Sequence, residues 1–156
     1  MIEMVVVLLL MGIIAATVLG RAITTSDLDL NSEPDKIRNH LRYAQAEAMK
    51  RSNAIWGIQS QSNEYWLFRV TKTGSEEVQL PGVNYPAGST RINLSDSGVT
   101  LDNFKLVFNK IGKPFKNNTN EVPNTPVTAA DPAIKVTAPS GKSQSITITP
   151  ETGLIQ

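Results

Sequence analysis

One histidine, His40, and no cysteine stand among 156 residues, which removes much of the chemistry a chain of this size could do. Thiol nucleophiles, thiolate metal sites and disulfides all require cysteine. An imidazole works as base or ligand only in company, and His40, between Asn39 and Leu41, has no second histidine to join it, so it reads as a surface or boundary residue. Asp27 and Asp29 could serve a calcium ion, but six or more oxygens are needed and their neighbours do not supply them. They read as solvated charges. No Gly-rich loop opens a helix to cradle phosphate. Asn93-Leu94-Ser95 and Asn117-Asn118-Thr119 fit the N-glycosylation pattern, a match short enough to arise by chance. No catalytic, cofactor-binding or metal-binding residue is assigned, no cofactor is expected, and the chain reads as a non-enzyme. A membrane-tethered enzyme would need an active site without Cys or a partnered His.

The charges left over are of two kinds. Lys36, Arg38, Arg42, Lys50 and Arg51 form a basic group, but Asp35 and Glu47 interleave with it, and Lys50 and Arg51 suit a helix C-terminus. Formal net charge is +1, so no whole-molecule field draws the chain to nucleic acid or anionic lipid. Glu3 is the other kind. It lies in Ile2 to Leu19, an apolar run whose only polar side chains are Glu3 and Thr17 and which Arg21 closes. An ionised carboxylate in such a run costs several kcal/mol inside a bilayer unless paired. Two chemistries answer that cost: snorkelling to a nearby interface with help from the helix dipole, or an ion pair with a cation from another subunit.

The elements that hold these residues follow from periodicity. At about 1.5 Å per residue the Ile2 to Leu19 run nearly crosses a hydrocarbon core, so it is expected to be a membrane helix. Leu19, Ile23, Leu30, Ile37, Leu41, Ala44 and Ala48 then keep one helical stripe. Ser32-Glu33-Pro34-Asp35 has the form of a helix start, which predicts a break between Thr24 and Pro34 and a firm helix from Pro34 to Arg51. Beyond Ser52 the period becomes alternating. Ala54 to Gln59 and Tyr65 to Thr71 read as a hairpin, with Trp66, Phe68 and Val70 on one face and Tyr65, Leu67 and Arg69 on the other. Further strands are expected at Arg91 to Leu94, Leu106 to Asn109, Ala133 to Thr137 and Ser145 to Thr149, the last two joined by the Pro139-Ser140-Gly141-Lys142 turn. Leu80 to Ser89 reads as a turn-rich crossing. Lys116 to Pro132 reads as a long loop without structure, either partner-facing or a surface insertion.

Four stretches carry a family resemblance. Ile2-Glu3-Met4-Val5-Val6-Val7 followed by Gly12-Ile13-Ile14-Ala15-Ala16 resembles the N-terminal helix of type IV pilins and of the pseudopilins of type II secretion. Ile37 to Ala48, specific in Leu41-Arg42-Tyr43-Ala44-Gln45-x-Glu47-Ala48, resembles the minor group called H-type pseudopilins or fimbrial T-type pilins. Leu106 to Pro114 and Ile146 to Ile155 resemble that group's later strands. The chain departs from the pattern in lacking the leader glycine and the two residues that usually follow the peptidase cut, so Met1 is expected to stand at the family's third mature position. It departs also in having Gly20 where many major pilins have proline.

The resemblance implies an α+β fold, pilin-like, with a long N-terminal helix, half membrane-spanning and half amphipathic, packed on antiparallel β-sheet. Its expected divisions are 1–21 as transmembrane and filament-core helix, 22–53 as the helix's soluble continuation, and 54–156 as the β domain. It implies a structural subunit stored in the bacterial inner membrane as a single-pass protein with a periplasmic domain, then built into a type II secretion pseudopilus or a type IV pilus. Implied partners are other pilins or pseudopilins, an inner-membrane assembly platform and a prepilin peptidase. Glu3 is the expected assembly residue, pairing with a neighbour's N-terminal amine. Ile2, Met4, Val5, Val6, Val7, Leu8, Leu9, Leu10, Gly12, Ile13, Ile14 and Leu19 are the expected membrane and filament-core residues. A major pilin and a DNA-uptake pilin are the alternatives. The second is weakened because Gly153-Leu154-Ile155-Gln156 carries no arginine where some pilins of this group bind DNA.

Overall fold

The computed structural model describes residues 2–51, 53–119 and 122–156, with side chains for all of these except residues 2, 17–29, 31, 118, 119 and 122. The chain opens on α1 (Ile2–Lys50) and then turns to strands: β1 (Ile55–Gln61), β2 (Glu64–Thr71), β3 (Gly74–Val78), β4 (Ile92–Asn93), β5 (Thr100–Leu101), β6 (Phe104–Phe108), β7 (Pro114–Thr119), β8 (Val122–Pro126), β9 (Ile134–Thr137) and β10 (Ser143–Ile146). A seven-stranded sheet runs in the order β3-β2-β1-β6-β7-β8, with β4 added against β2, and a three-stranded sheet runs β10-β9-β5. The named strand pairs are antiparallel.

The β1–β2 hairpin forms where alternation predicts it, with Gln61 opposite Glu64. Ser62 and Asn63 make the two-residue turn at φ 54° and 64°, the left-handed pair whose twist matches that of the strands. Asn63 also carries the turn into the second sheet. Its Oδ1 accepts from Leu101 N at 2.9 Å and its Nδ2 donates to Val99 O at 2.9 Å.

Both faces of β2 are buried. Tyr65 and Leu67 join the main core with Ile37, Leu41 and Ala44 of α1. Trp66, Phe68 and Val70 turn the other way, into a second cluster with Ile55, Val107 and Phe115. That cluster presses on β1 at Gly57, where a Cβ would stand 2.8 Å from Val107 Cγ1 and 2.9 Å from Phe68 Cζ. Only a residue without a side chain fits there.

The fold expected from the resemblance is corrected. The described side chains of α1 fall into two stretches, residues 3–16 and residues 30–50 less residue 31, and they behave differently. Leu30, Ile37, Leu41, Ala44 and Ala48 are buried, and α1 packs against β1, β6, β9 and β10. Every residue of 3–16 is exposed. A long helix laid along a sheet is therefore not what forms, because the apolar residues of 3–16 surround the axis and offer no single face to lay down. The regular structure described after α1 is mainly antiparallel strand.

The inner-membrane, single-pass localisation is corrected as well: among the described residues no helix is long and apolar enough to cross a membrane. Residues 3–16 span about 20 Å at ~1.5 Å per residue, short of a hydrocarbon core of ~30 Å. Leu19 and Ile23, which would extend the run and the stripe, lie outside the described side chains.

Two local expectations also change. Pro34 does not begin a helix but lies inside α1 and is buried; the side chains of 24–29 lie outside the described residues. Residues 116–132, expected to lack structure, contain most of β7 and all of β8. The β7–β8 register shifts between Phe115 and Asn118, and Pro123 and Pro126 are tolerated because β8 is an edge strand with a free side. The turn that follows is tied by Asp131, which accepts from Thr128 N at 2.7 Å and from Lys116 Nζ at 2.6 Å.

Candidate assembly surface

The residues expected to join subunits lie at the exposed end of α1. From Met4 to Ile14 the large apolar side chains are between 53% and 75% exposed. Because the run is continuous, these side chains point all round the helix, and a helix apolar on all sides is one that other chains or lipid must surround. Each such side chain gains about 1.5–3 kcal/mol when buried, so covering half of them is comparable with the ~4–15 kcal/mol cost of bringing two molecules together. Glu3 is exposed in the first turn, where a carboxylate is favoured by the helix dipole. At Gly12 an added Cβ would meet nothing within 4 Å, so the backbone is open to close approach. Met4, Val5, Val6, Val7, Leu8, Leu9, Leu10, Gly12, Ile13 and Ile14 thus form one surface with Glu3 at its end. Ile2 and Leu19 lie outside the described side chains.

At the other end of α1 the basic residues are paired within the chain. Lys36 pairs with Glu33 at 2.7 Å, Arg38 with Asp35 at 2.6 Å, and Arg51 with Glu47 at 2.9 Å, with Lys50 3.8 Å from the same carboxylate. Arg42 donates to Ile155 O at 2.9 Å. Each of the five basic residues that could have formed a DNA-binding stripe has a partner within the chain.

Gln45 makes the central joint. Its Nε2 donates to Gly112 O at 2.9 Å, to Gly153 O at 3.2 Å and to Thr152 O at 3.3 Å. Gly153 sits at φ 67°, and a Cβ there would strike Gly112 O, so both conformation and space demand glycine. The three stretches that carry the resemblance beyond the N-terminus therefore converge on one side-chain amide.

His40 is half-buried on the same helix. Its Nδ1 lies 2.9 Å from Tyr65 Oη. Burial holds the imidazole below its usual value of 6.5, against the opposing pull of Glu33, and burial pushes the Tyr65 hydroxyl up. The pair is a neutral helix-to-sheet bond. Among the described residues no group of His, Asp and Glu could hold a metal ion.

Comparison with protein-family models, curated proteins and solved structures finds no match.

Sequence reasoning finds the apolar run and Glu3 but misses Gln45 and Asn63 as joints. A side-chain amide bonded to carbonyls far away in sequence leaves no periodic signal.

Proposed function

We propose that the chain is a structural subunit of a filament, of the type IV pilin-like, minor pseudopilin kind that it resembles, and that residues 3–16 are the surface through which subunits join. The observation that supports this is the exposure of an unbroken apolar helix beside a head whose other helical half is fully docked. Copies of that helix bundled together cover one another on all sides, which a groove on a single partner cannot do. Within such a bundle Glu3 enters a dry environment and is stabilised by an α-amine of a neighbouring subunit, a pair that sets register more than it adds stability.

The test compares the unchanged chain with Leu9→Asp/Ile13→Asp by sedimentation velocity and electron microscopy. The unchanged chain is expected to form multimers or filaments, and the variant to remain monomeric with the same circular dichroism in the strand region. An unchanged chain that stays monomeric up to its solubility limit, or a variant that assembles normally, overturns the proposal. Glu3→Ala is expected to keep the monomer's fold and lower incorporation.

A further inference from the structure

Outside residues 3–16, the large apolar side chains exposed among the described residues are Met49, Ile111 and Leu154, and they sit together. A Cβ on Gly112 would stand 3.1 Å from Met49 Sδ, and one on Gly153 would strike Gly112 O, so the last turn of α1, the β6–β7 turn and the turn before Leu154 meet there. Ile111 is the most exposed of the three, at 70%. Its turn is firmly held. Asn109 Oδ1 accepts from Ile111 N at 3.1 Å and from Lys113 N at 2.9 Å, while Asn109 O accepts from Gly112 N at 2.9 Å and Asn109 N donates to Lys113 O at 3.1 Å. An apolar side chain carried on a fixed turn needs little further ordering when it is buried.

Alongside the other end of β6 lies a cleft of about 390 Å³. It opens where the two sheets part, because β7 stays with β6 only at Val107 and Phe108 and β9 stays with β5 at Thr100 and Leu101. Phe104, Leu106, Val127, Ile134, Ile146 and Ile148 give it apolar walls, and Lys116 and Asp131, paired at 2.6 Å, also line it. Asp102, next to the lining residue Asn103, is exposed, and so is Lys110, next to Ile111. Neither has an ion-pair partner among the described residues.

The turn and the cleft are at opposite ends of β6, so Ile111 cannot enter the cleft of its own chain. Burying one isoleucine gives about 1.5–3 kcal/mol, less than the ~4–15 kcal/mol that association costs. A free partner would not stay in the cleft on so small a contact, but a copy already held through residues 3–16 is present at high effective concentration and meets that cost only once. We propose that in the filament the Ile111 turn of each copy seats in the cleft of the next, with Lys110 against Asp102 and with Met49 and Leu154 widening the apolar contact at the rim. This rests on the filament reading and names the contact between heads within it. Because the two surfaces differ, each added copy leaves one turn and one cleft free, the condition for an open filament. Turn-to-turn pairing would instead set Lys110 against Lys110.

The chain has no cysteine, so engineered ones report contacts without background. Lys110→Cys/Asp102→Cys is assembled, oxidised and run on a non-reducing denaturing gel. A ladder of dimers, trimers and longer products is expected, whereas a mixture of the two single variants is expected to stop at dimers and either single variant alone to stay monomeric. Ile111→Asp is expected to raise the concentration at which filaments appear at least tenfold, with the urea midpoint of the monomer unchanged. The proposal is overturned if the double variant forms filaments but yields no ladder, if Lys110→Cys alone gives dimers as readily as the mixture, or if Ile111→Asp assembles like the unchanged chain. Each of these results leaves the filament reading standing; failure of the unchanged chain to assemble overturns both.

Discussion

The two described stretches of α1 share a helix and differ in how their apolar residues are spaced. Between Leu30 and Ala48 those residues recur at helical intervals, collect on one stripe, and disappear into the core. Between Met4 and Ile14 they are consecutive, collect nowhere, and remain at the surface. The hydrophobic content of the second stretch is higher, yet it is the first that folds onto the sheets. Spacing, not amount, decides whether a helix is satisfied within its own chain or only by other molecules.

That contrast predicts a graded series of effects. Leu41→Ala opens a cavity in the docked half, where Leu41 is fully buried, and is expected to cost about 2–5 kcal/mol in urea denaturation of the monomer. Gln45→Ala leaves the carbonyls of Gly112, Thr152 and Gly153 without their shared donor and is expected to cost about 1–3 kcal/mol; a smaller loss would mean that water replaces the amide there. Acid tests the docked half more gently. The folded chain holds the His40 imidazole below 6.5, so the unfolded chain takes up the proton first. Stability is expected to be intact above that pH and to fall as pH drops through it, and His40→Gln should flatten this part of the urea midpoint's pH dependence. Leu9→Ala is the smallest case, expected to shift monomer stability by no more than ~0.5 kcal/mol while weakening assembly. A loss at Leu9 as large as that at Leu41 would abolish the distinction between the two stretches.

The sequence shows some of this plainly. The β1–β2 hairpin, the division of β2 into a Trp66-Phe68-Val70 face and a Tyr65-Leu67 face, and the β9–β10 hairpin all follow from alternation and turn residues, to within a few positions. Other strands are hidden for physical reasons. Glu76 and Glu77 make β3 read as polar because it is an edge strand. Pro123 and Pro126 make β8 read as loop because an edge tolerates residues that a central strand excludes. At the candidate surface, composition singles out Met4 to Ile14, which the structure leaves exposed, and suggests a membrane span, whereas among the described residues no helix is long and apolar enough to make one. The Gln45 joint and the cleft where the sheets part depend on which distant residues arrive beside them, and no local pattern encodes that.

The joint at Gln45 also sets a clock. Arg42 waits for the carbonyl of Ile155, 113 residues on, and Gln45 for those of Thr152 and Gly153, 107 and 108 residues on. During synthesis the helix is made before these fastenings, so the part of its docked stretch that they hold waits for more than a hundred further residues. Contacts between residues so far apart in sequence slow folding and prolong states open to aggregation. Removal of residues 152–156 would therefore unfasten α1 at Arg42 and Gln45, and a chain still without them is the form most in need of a chaperone.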